Sequence, residues 1–246
     1  MRLKISLILM LSVFAVCAVA AKRTVVNEEG DTVRYLYPKF NGFTVNVDLF
    51  SPVANAFGQK YGNYEVSLDA GFYNRFYPVY EAGICYADDT PEDYNYTYHV
   101  NPSFYNRIGL NYNIMYNKKI PGMLLVGVRY GMSVAKYDIR NINITSPYWG
   151  DGQTGLAIDG GRSVAHWGEV VLGLQMDAFR GFMLGWSLRY KILFAASHGA
   201  GSRPWIIPGF GKRNNPLGVT FTIGYRISPK KKAAPAAVQS VLENNK

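Results

Sequence analysis

The segment Phe182–Phe194 constrains the fold of this chain most, because a large apolar side chain stands at every second position along it. These side chains are Phe182, Leu184, Trp186, Leu188, Tyr190, Ile192 and Phe194. Strict alternation predicts a β-strand with one apolar face and one polar face. A typical strand is about 5–6 residues long, whereas a strand that crosses a bilayer needs about 9–11. The segment is therefore long enough to cross a membrane.

The same alternation recurs along the chain and gives eight predicted strands. They are Gly42–Phe50, Asn63–Tyr73, Phe76–Tyr86, Phe104–Tyr116, Met123–Ala135, His166–Ala178, Phe182–Phe194 and Leu217–Ile227. Short links, such as Asn74-Arg75 and Phe179–Gly181, alternate with long ones, as in outer-membrane barrels with short periplasmic turns. We therefore predict an all-β fold: a closed eight-stranded antiparallel up-and-down transmembrane β-barrel with long external loops and short periplasmic turns.

The volume of the side chains predicts which face points outward. An eight-stranded barrel has an interior just wide enough for side chains to fill. The apolar faces carry too many large residues for that space, whereas the polar faces are rich in Gly, Ser, Thr and Asn. We therefore expect apolar side chains outside and polar ones inside. Aromatic residues at the strand ends predict two interfacial girdles: Phe72, Phe76, Tyr77, Tyr116, Phe182 and Tyr225 on the periplasmic side, and Phe50, Tyr64, Tyr86, Trp167, Tyr190 and Phe194 on the outer side.

The chain begins with the features of a secretory signal peptide. Arg2 and Lys4 precede an uncharged apolar run, and Ala18-Val19-Ala20 matches an A-x-A cleavage site. We predict a signal peptide over residues 1–20 and a periplasmic segment over residues 21–41. The barrel follows over residues 42–227, and a basic Pro/Ala-rich periplasmic tail over residues 228–246. These predictions imply export across the inner membrane and a place in the outer membrane.

The last predicted strand, Leu217-Gly-Val-Thr-Phe-Thr-Ile-Gly-Tyr-Arg-Ile227, looks like the closing, assembly-signal strand of a barrel. With it, the region from Gly42 to Ile227 resembles small eight-stranded outer-membrane β-barrels of Gram-negative bacteria, and more narrowly an uncharacterised family of such barrels with unknown function. The resemblance implies contact with the barrel assembly machinery during biogenesis and supplies no catalytic residues. The chain departs from the common pattern because Pro229–Lys246 follows the closing strand.

The predicted inward faces carry nearly balanced charges. The acids are Asp48, Glu65, Asp69, Glu81, Glu169 and Asp177, and the bases are Arg107, Arg129, Arg189, Lys191 and Arg226. A buried charge must be paired, because removing its partner costs about 3–5 kcal/mol. We predict a salt-bridge network that plugs the lumen and prevents conduction, made of Glu81, Arg107, Arg129, Glu169 and Arg189.

The long loops carry aromatic residues, of which Tyr148, Trp149, Trp205 and Phe210 are candidates for surface contacts. Exposed aromatic side chains suit contact with a partner at the cell surface. They equally suit dipping into lipopolysaccharide or packing down over the mouth of the barrel. The sequence leaves these roles open.

Ser163, His166 and Glu169 are the best candidates for catalysis, because some small outer-membrane barrels hydrolyse or transfer acyl groups of lipids. In a strand, however, a spacing of three residues places neighbours on opposite faces, which disfavours a triad. The segment Gly150–Gly155 matches a dinucleotide-binding motif by its glycines but lacks the strand and helix that such a motif needs. We predict no catalytic residue, no cofactor and no metal.

The sequence therefore predicts an outer-membrane barrel with a structural or surface-interaction role and a non-conducting polar lumen. The expected partners are outer-membrane lipid and lipopolysaccharide, the assembly machinery, and a surface partner of unknown identity. A lipid-modifying acyl hydrolase or transferase is the first alternative, and a soluble periplasmic ligand-binding barrel is the second. We expect no nucleic acid despite the net charge of +9, because the one basic cluster, Lys230–Lys232, lies in the tail.

Overall fold

Eight antiparallel strands form a closed ring in the computed structural model, which describes residues 24–26, 32–34, 39–90, 95–116, 121–144, 153–198 and 203–229. The elements are β1 (Thr24–Val26), β2 (Thr32–Arg34), β3 (Gly42–Asp48), α1 (Phe50–Ala56), β4 (Tyr61–Gly71), β5 (Phe76–Asp89), β6 (Thr97–Asn113), β7 (Gly122–Ile144), β8 (Gln153–Phe179), β9 (Phe182–Ala196), β10 (Ile206–Ile207), β11 (Gly211–Lys212) and β12 (Leu217–Ile227). The predicted signal peptide and the lysine cluster of the tail lie outside the described residues. Among the described residues, no helix is long and apolar enough to cross a membrane.

The ring has an up-and-down order, which confirms the predicted all-β fold. Each strand from β3 to β9 pairs with the next strand along the chain, β9 pairs with β12, and β12 closes the ring by pairing with β3. The two small sheets, β1–β2 and β10–β11, lie apart from this ladder. Because the number of ring strands is even, β3 begins where β12 ends, and Phe43 pairs with Ile227. We call this closed ring the barrel.

Two short turns mark one end of the barrel, which we call the turn end; the opposite end is the loop end. At the β8–β9 turn, Arg180 and Gly181 have φ angles of 45° and 91°. Two adjacent residues with positive φ are typical of a type I′ hairpin turn, whose twist matches the twist of the flanking strands. At the β4–β5 turn, Tyr73 and Asn74 also have positive φ. The predicted link at Asn117–Gly122 lies mostly outside the described residues.

Five ring strands are longer than predicted, and three of them extend by seven or more residues at one end. β6 begins at Thr97, β7 continues to Ile144, and β8 begins at Gln153, so parts of two predicted loops are strand. The prediction ended each strand where the regular outward apolar positions stop. Backbone pairing continues beyond that point, with register shifts between Tyr137 and Asp138 and again further along. Hydrogen bonding of the ladder does not require an apolar outer face, and the sequence pattern therefore missed this extension.

The outward face of the barrel is apolar on all eight strands, as predicted. The exposed side chains include Phe43 and Val47 on β3, Val66 and Leu68 on β4, Tyr80 and Ile84 on β5, Phe104 and Ile108 on β6, Val128 and Tyr130 on β7, Val170 and Leu172 on β8, Leu188 and Ile192 on β9, and Phe221 and Ile223 on β12. The alternating positions point inward, and most of them are buried or partly buried. This orientation follows from the strand period of two once one face has been assigned.

Two predicted girdle residues, Tyr77 and Trp167, are wrong because they point into the barrel, and a third, Tyr116, is buried in the turn after β6. Tyr77, Tyr116 and Trp167 are at most 9% exposed. Trp167 shares its strand parity with Glu169, which was predicted to face inward, and the same period therefore places both inside. Seven other predicted girdle residues are exposed by at least 38%: Phe50, Tyr64, Phe72, Phe182, Tyr190, Phe194 and Tyr225.

Candidate functional site

Six charged residues meet in the middle of the barrel, one from each of six consecutive strands. They are Glu65 on β4, Glu81 on β5, Arg107 on β6, Arg129 on β7, Glu169 on β8 and Arg189 on β9. All six are buried. We call them the charge layer. Each strand brings one residue to the same height because the strands tilt and the register is staggered around a closed barrel.

Arg107 and Arg189 hold the layer together, since each contacts all three glutamates. Arg107 contacts Glu65 and lies 2.7 Å from Glu81 and 3.1 Å from Glu169. Arg189 lies 2.8 Å from Glu81 and 3.4 Å from both other glutamates. Arg129 donates to Glu81 at 3.1 Å. Three carboxylates face three guanidinium groups, so the layer is neutral as a whole.

Two aromatic side chains complete the hydrogen bonding of the carboxylates. The Tyr105 hydroxyl donates to Glu65 at 2.7 Å, and the Trp167 indole N–H donates to Glu169 at 2.6 Å. Buried ion pairs repay their desolvation only when further hydrogen bonds satisfy the remaining lone pairs. These two donors therefore belong to the charge layer's structure, although the sequence pattern did not single them out.

The structure brings together all five residues of the predicted network and adds Glu65. Strand parity had placed Glu65 inside, but its height relative to the arginines depends on the stagger of the ring, which the sequence pattern does not show. The remaining predicted inward charges lie elsewhere. Asp177 and Arg226 form a more exposed pair at the turn end, with 3.2 Å between their charged groups.

A hairpin between β9 and β12 folds into the loop end of the barrel. We call residues 204–212, which include β10 and β11, the lumen hairpin. Its side chains Ile206, Ile207 and Phe210 are only 1–2% exposed. Its Gly209 carbonyl accepts a hydrogen bond from Arg107 at 3.3 Å, so the hairpin rests on the charge layer. Gly209 has φ of +77°, and a Cβ there would lie 2.5 Å from the Tyr105 ring, so this position requires glycine.

The lumen hairpin packs against apolar side chains that line the inside of the barrel at its loop end. Ile207 and Phe210 contact a cluster with Cys85, Tyr105, Ala165 and Trp167. Ile206 contacts a second cluster, made of Ala87, Tyr98, Val100, Ala135 and Tyr137. The predicted polar lumen is therefore only partly correct for the loop end. A small apolar core lies there beside buried polar side chains such as Asp48, Ser133 and Ser163.

This core corrects one predicted surface contact. Phe210 is buried against Trp167, with 6.0 Å between the ring centroids, and does not lie on the outer surface of a loop. Trp205 is partly buried and packs against the second cluster. Tyr148 and Trp149 lie outside the described residues. The sequence left open partner contact, contact with lipopolysaccharide and packing over the barrel mouth. The burial of Phe210 corresponds to the last of these roles.

The large aromatic side chains fit inside because glycines stand beside them. Trp167 is paired with Gly131, and a Cβ at Gly131 would lie 2.3 Å from the indole ring. Tyr105 is paired with Gly83 in the same way, at 2.5 Å. The signal in the sequence that could have revealed these rings inside is strand parity, which Tyr105 shares with Arg107 and Trp167 with Glu169. The facing glycines become apparent only when the strand register is known.

The charge layer separates two cavities. The cavity toward the turn end is small, about 60 Å³, and is lined by polar residues such as Asn46, Asp69 and Gln175. Asn46 donates to Asp69 at 2.6 Å and accepts from Gln175 at 3.1 Å. The cavity toward the loop end is larger, about 300 Å³. Between the small cavity and the turn end lies an apolar cluster of Tyr77, Met123, Leu125 and Met183.

The three candidate catalytic residues do not form a triad. Ser163 faces inward and donates to the Ser197 carbonyl at 2.6 Å, and Glu169 is engaged in the charge layer. His166 packs between the rings of Tyr130 and Phe194. Within the described ranges, no group of three or more His, Cys, Asp or Glu residues is arranged to hold a metal ion.

Comparison with known proteins gives a family and no function. The sequence profile described as "Domain of unknown function (DUF6048)" matches residues 1–232. No curated protein matches the chain, and no solved structure does. Because the match covers nearly the whole sequence, this protein belongs to the DUF6048 family, a family of unknown function.

Proposed function

We propose that this chain is an integral outer-membrane barrel with a sealed lumen and a structural or surface-interaction role. One observation carries the proposal: a continuous outer band of large exposed apolar side chains surrounds a closed ring whose interior holds the charges. A soluble barrel would bury its apolar face and expose its polar one. A closed ring also leaves no strand edge unpaired in lipid over most of its height.

The height of the apolar band supports a membrane location. On β7 the outward apolar positions run from Leu124 to Val134. Ten residue steps of about 3.3 Å, tilted by about 40°, span about 25 Å, which is the usual height of the apolar band of outer-membrane barrels. The predicted signal peptide supports export, and the exposed aromatic residues at both edges support two membrane interfaces.

A basic pair stands directly above this band. Lys136 on β7 and Arg162 on β8 are direct partners in the register, and both are exposed. Like charges directly across a strand pair destabilise the sheet unless an anion lies between them. Phosphate groups of lipopolysaccharide would lie at this height and would supply such an anion. The pair therefore supports lipopolysaccharide as a lipid partner.

Beyond the basic pair, β7 and β8 continue as a hairpin outside the band. Its exposed side chains include Arg140, Leu156 and Ile158. A paired extension of this kind offers a defined surface above the membrane for a partner at the cell surface. The extension therefore supports the proposed surface-interaction role.

We expect Leu172→Arg to destabilise the barrel by about 2–4 kcal/mol in lipid vesicles, because Leu172 lies near the middle of the apolar band and arginine is costly at that depth. The matched control is Ile158→Arg, on the same strand beyond the basic pair, which should leave stability nearly unchanged. Urea unfolding, followed by heat-modifiable gel mobility, measures both variants. Equal effects of the two substitutions would reject a membrane at this height.

We expect no steady conductance when the purified protein is inserted in a planar bilayer, because the charge layer and the lumen hairpin each close the bore. Replacing residues 204–212 with a Gly/Ser linker should leave the bilayer closed, since the charge layer remains. An open porin in the same bilayer serves as the positive control. A stable open pore formed by the wild-type protein would show that the lumen is not sealed.

A further inference from the structure

The barrel wall has a gap at its loop end, where β3 is too short to fill its place. β3 ends at Asp48 and pairs with β4 only from Val66 onward. The first part of β4, from Tyr61 to Glu65, therefore pairs with β5 alone. On the other side of the gap, the stretch of β12 from Leu217 to Thr220 pairs with β9 alone. Two strand edges thus face each other without a strand between them.

The short helix α1 lies across this gap. It contacts both β4 and β12. Phe50, Val53 and Phe57 stand at helical spacing and are 46%, 51% and 88% exposed, so the helix turns an apolar face outward. Asn55 accepts a hydrogen bond from the Tyr86 hydroxyl at 2.9 Å. The helix therefore covers the place of the missing strand with apolar side chains. It is held there by packing and a few hydrogen bonds, without the continuous backbone hydrogen bonding of a paired strand.

The 300 Å³ cavity lies directly behind the gap. Its lining includes Phe50 on α1 and Leu217 and Val219 at the edge of β12, whose side chains are also exposed on the outer face. Its inner wall includes Arg189 and Lys191. The cavity therefore reaches from the apolar outer surface to the charged interior. Because a water molecule occupies about 30 Å³ in the liquid, the cavity has space for roughly ten non-hydrogen atoms.

Lys191 offers its charge to an anion inside the cavity. Lys191 donates to the Phe210 carbonyl and lies 5.2 Å from the centre of the Phe210 ring, and in the described part of the chain no carboxylate forms an ion pair with it. Asp48 accepts from the backbone N–H groups of Phe50 and Phe221 at 3.1 and 3.2 Å. Glu65 is engaged by Arg107 and Arg189. Lys191 is therefore the cation of this cavity whose charge is left for a ligand.

We propose that the gap behind α1 is a lateral entrance through which the cavity binds a single-chain amphiphile with an anionic headgroup, with the headgroup at Lys191 and the acyl chain leaving between α1 and β12 into the lipid. The proposal rests on the membrane location proposed above. The cavity's size suits a headgroup and the first carbons of one chain, and excludes a complete two-chain lipid. The unpartnered, buried side-chain oxygen of Asn63, also in the lining, is an acceptor for a hydroxyl group of such a ligand.

Native mass spectrometry of the full chain from a nonionic detergent tests the proposal. The probes are palmitate, lysophosphatidate and uncharged monopalmitin, which share one chain length. We expect one bound molecule of at least one anionic probe. We expect at least about tenfold weaker binding of monopalmitin, because its hydroxyl groups cannot neutralise the charge of Lys191. The ratio between palmitate and lysophosphatidate then distinguishes a carboxylate site from a phosphate site.

Two variants and one control localise the site. Lys191→Met should weaken anionic binding about tenfold or more. Gly218→Leu should block it without removing charge, because a Cβ at Gly218 would lie 3.2 Å from the Lys191 ammonium nitrogen. Lys39→Gln, which removes an exposed charge beside the β4–β5 turn at the opposite end of the barrel, should leave the count of bound probe unchanged. Heat-modifiable mobility verifies that each variant is folded.

The outcomes separate this proposal from the membrane location. Equal binding of charged and uncharged probes, or unchanged binding by both cavity variants, overturns the lateral site while the protein still requires detergent. If the protein stays monodisperse without detergent, the membrane location fails first, whatever the probes do.

Discussion

Replacing Arg189 with methionine is expected to lower the free energy of unfolding by about 3–5 kcal/mol. Arg189 contacts all three glutamates of the charge layer, and its loss leaves a net negative charge buried among Glu65, Glu81 and Glu169. Arg107 already contacts the same three carboxylates and cannot replace the missing charge. Urea unfolding in lipid vesicles, followed by heat-modifiable gel mobility, measures the loss.

The matched control for this variant is Arg226→Met. Arg226 is also an inward arginine on a ring strand, but its partner Asp177 is about half exposed. Exposed ion pairs usually contribute only about 0–1 kcal/mol, so the control should cost much less. The double variant Arg189→Met/Glu81→Gln restores the charge balance of the layer and should recover part of the loss. Equal losses for Arg189→Met and Arg226→Met would show that the charge layer is not a coupled buried network.

Replacing Trp167 with alanine is expected to cost about 3–5 kcal/mol, the usual range for a large aromatic residue removed from a core. Trp167 has no exposed surface and packs on Phe210 of the lumen hairpin. Its indole N–H also donates to Glu169, so the substitution removes a hydrogen-bond donor from a buried carboxylate as well as apolar contact. Stability is measured as for Arg189→Met.

Trp186→Ala serves as the control for this second variant. Trp186 is on β9, points outward and is 54% exposed. Its truncation removes contact with lipid or detergent and leaves the barrel interior intact, so we expect a clearly smaller loss. A larger effect for Trp186→Ala than for Trp167→Ala would contradict the apolar core at the loop end. The comparison thereby tests whether the lumen hairpin is part of the folded interior.

The charge layer and the lumen hairpin together give the barrel an unusual distribution of polarity. A polar network occupies the middle of the bore, and apolar clusters lie on either side of it. Such a network favours one arrangement of the six strands over others, since any shift of register would separate the pairs.

Much of the fold was predictable from the alternation of side chains. Period two identified all eight ring strands and their two faces, because the period depends only on local backbone geometry. The alternation of short and long links indicated the antiparallel order, and the volume of the side chains indicated the face that points outward. The period also placed Glu81, Arg107 and Glu169 inside. The same period also puts Trp167 and Tyr105 on the inward face. It did not reveal that each of them lies opposite a glycine, because this depends on which residues face each other across strands.

The sequence by itself determined the strands, their amphipathic faces and the near balance of inward charge, since these follow from the order of residues along each strand. Only the tertiary structure decided three further features: the height at which the six charges meet, the folding of residues 204–212 into the bore, and the gap left by the short β3. Each depends on the stagger and closure of the ring, which join residues far apart in the chain. Local periodicity contains no information about those distances.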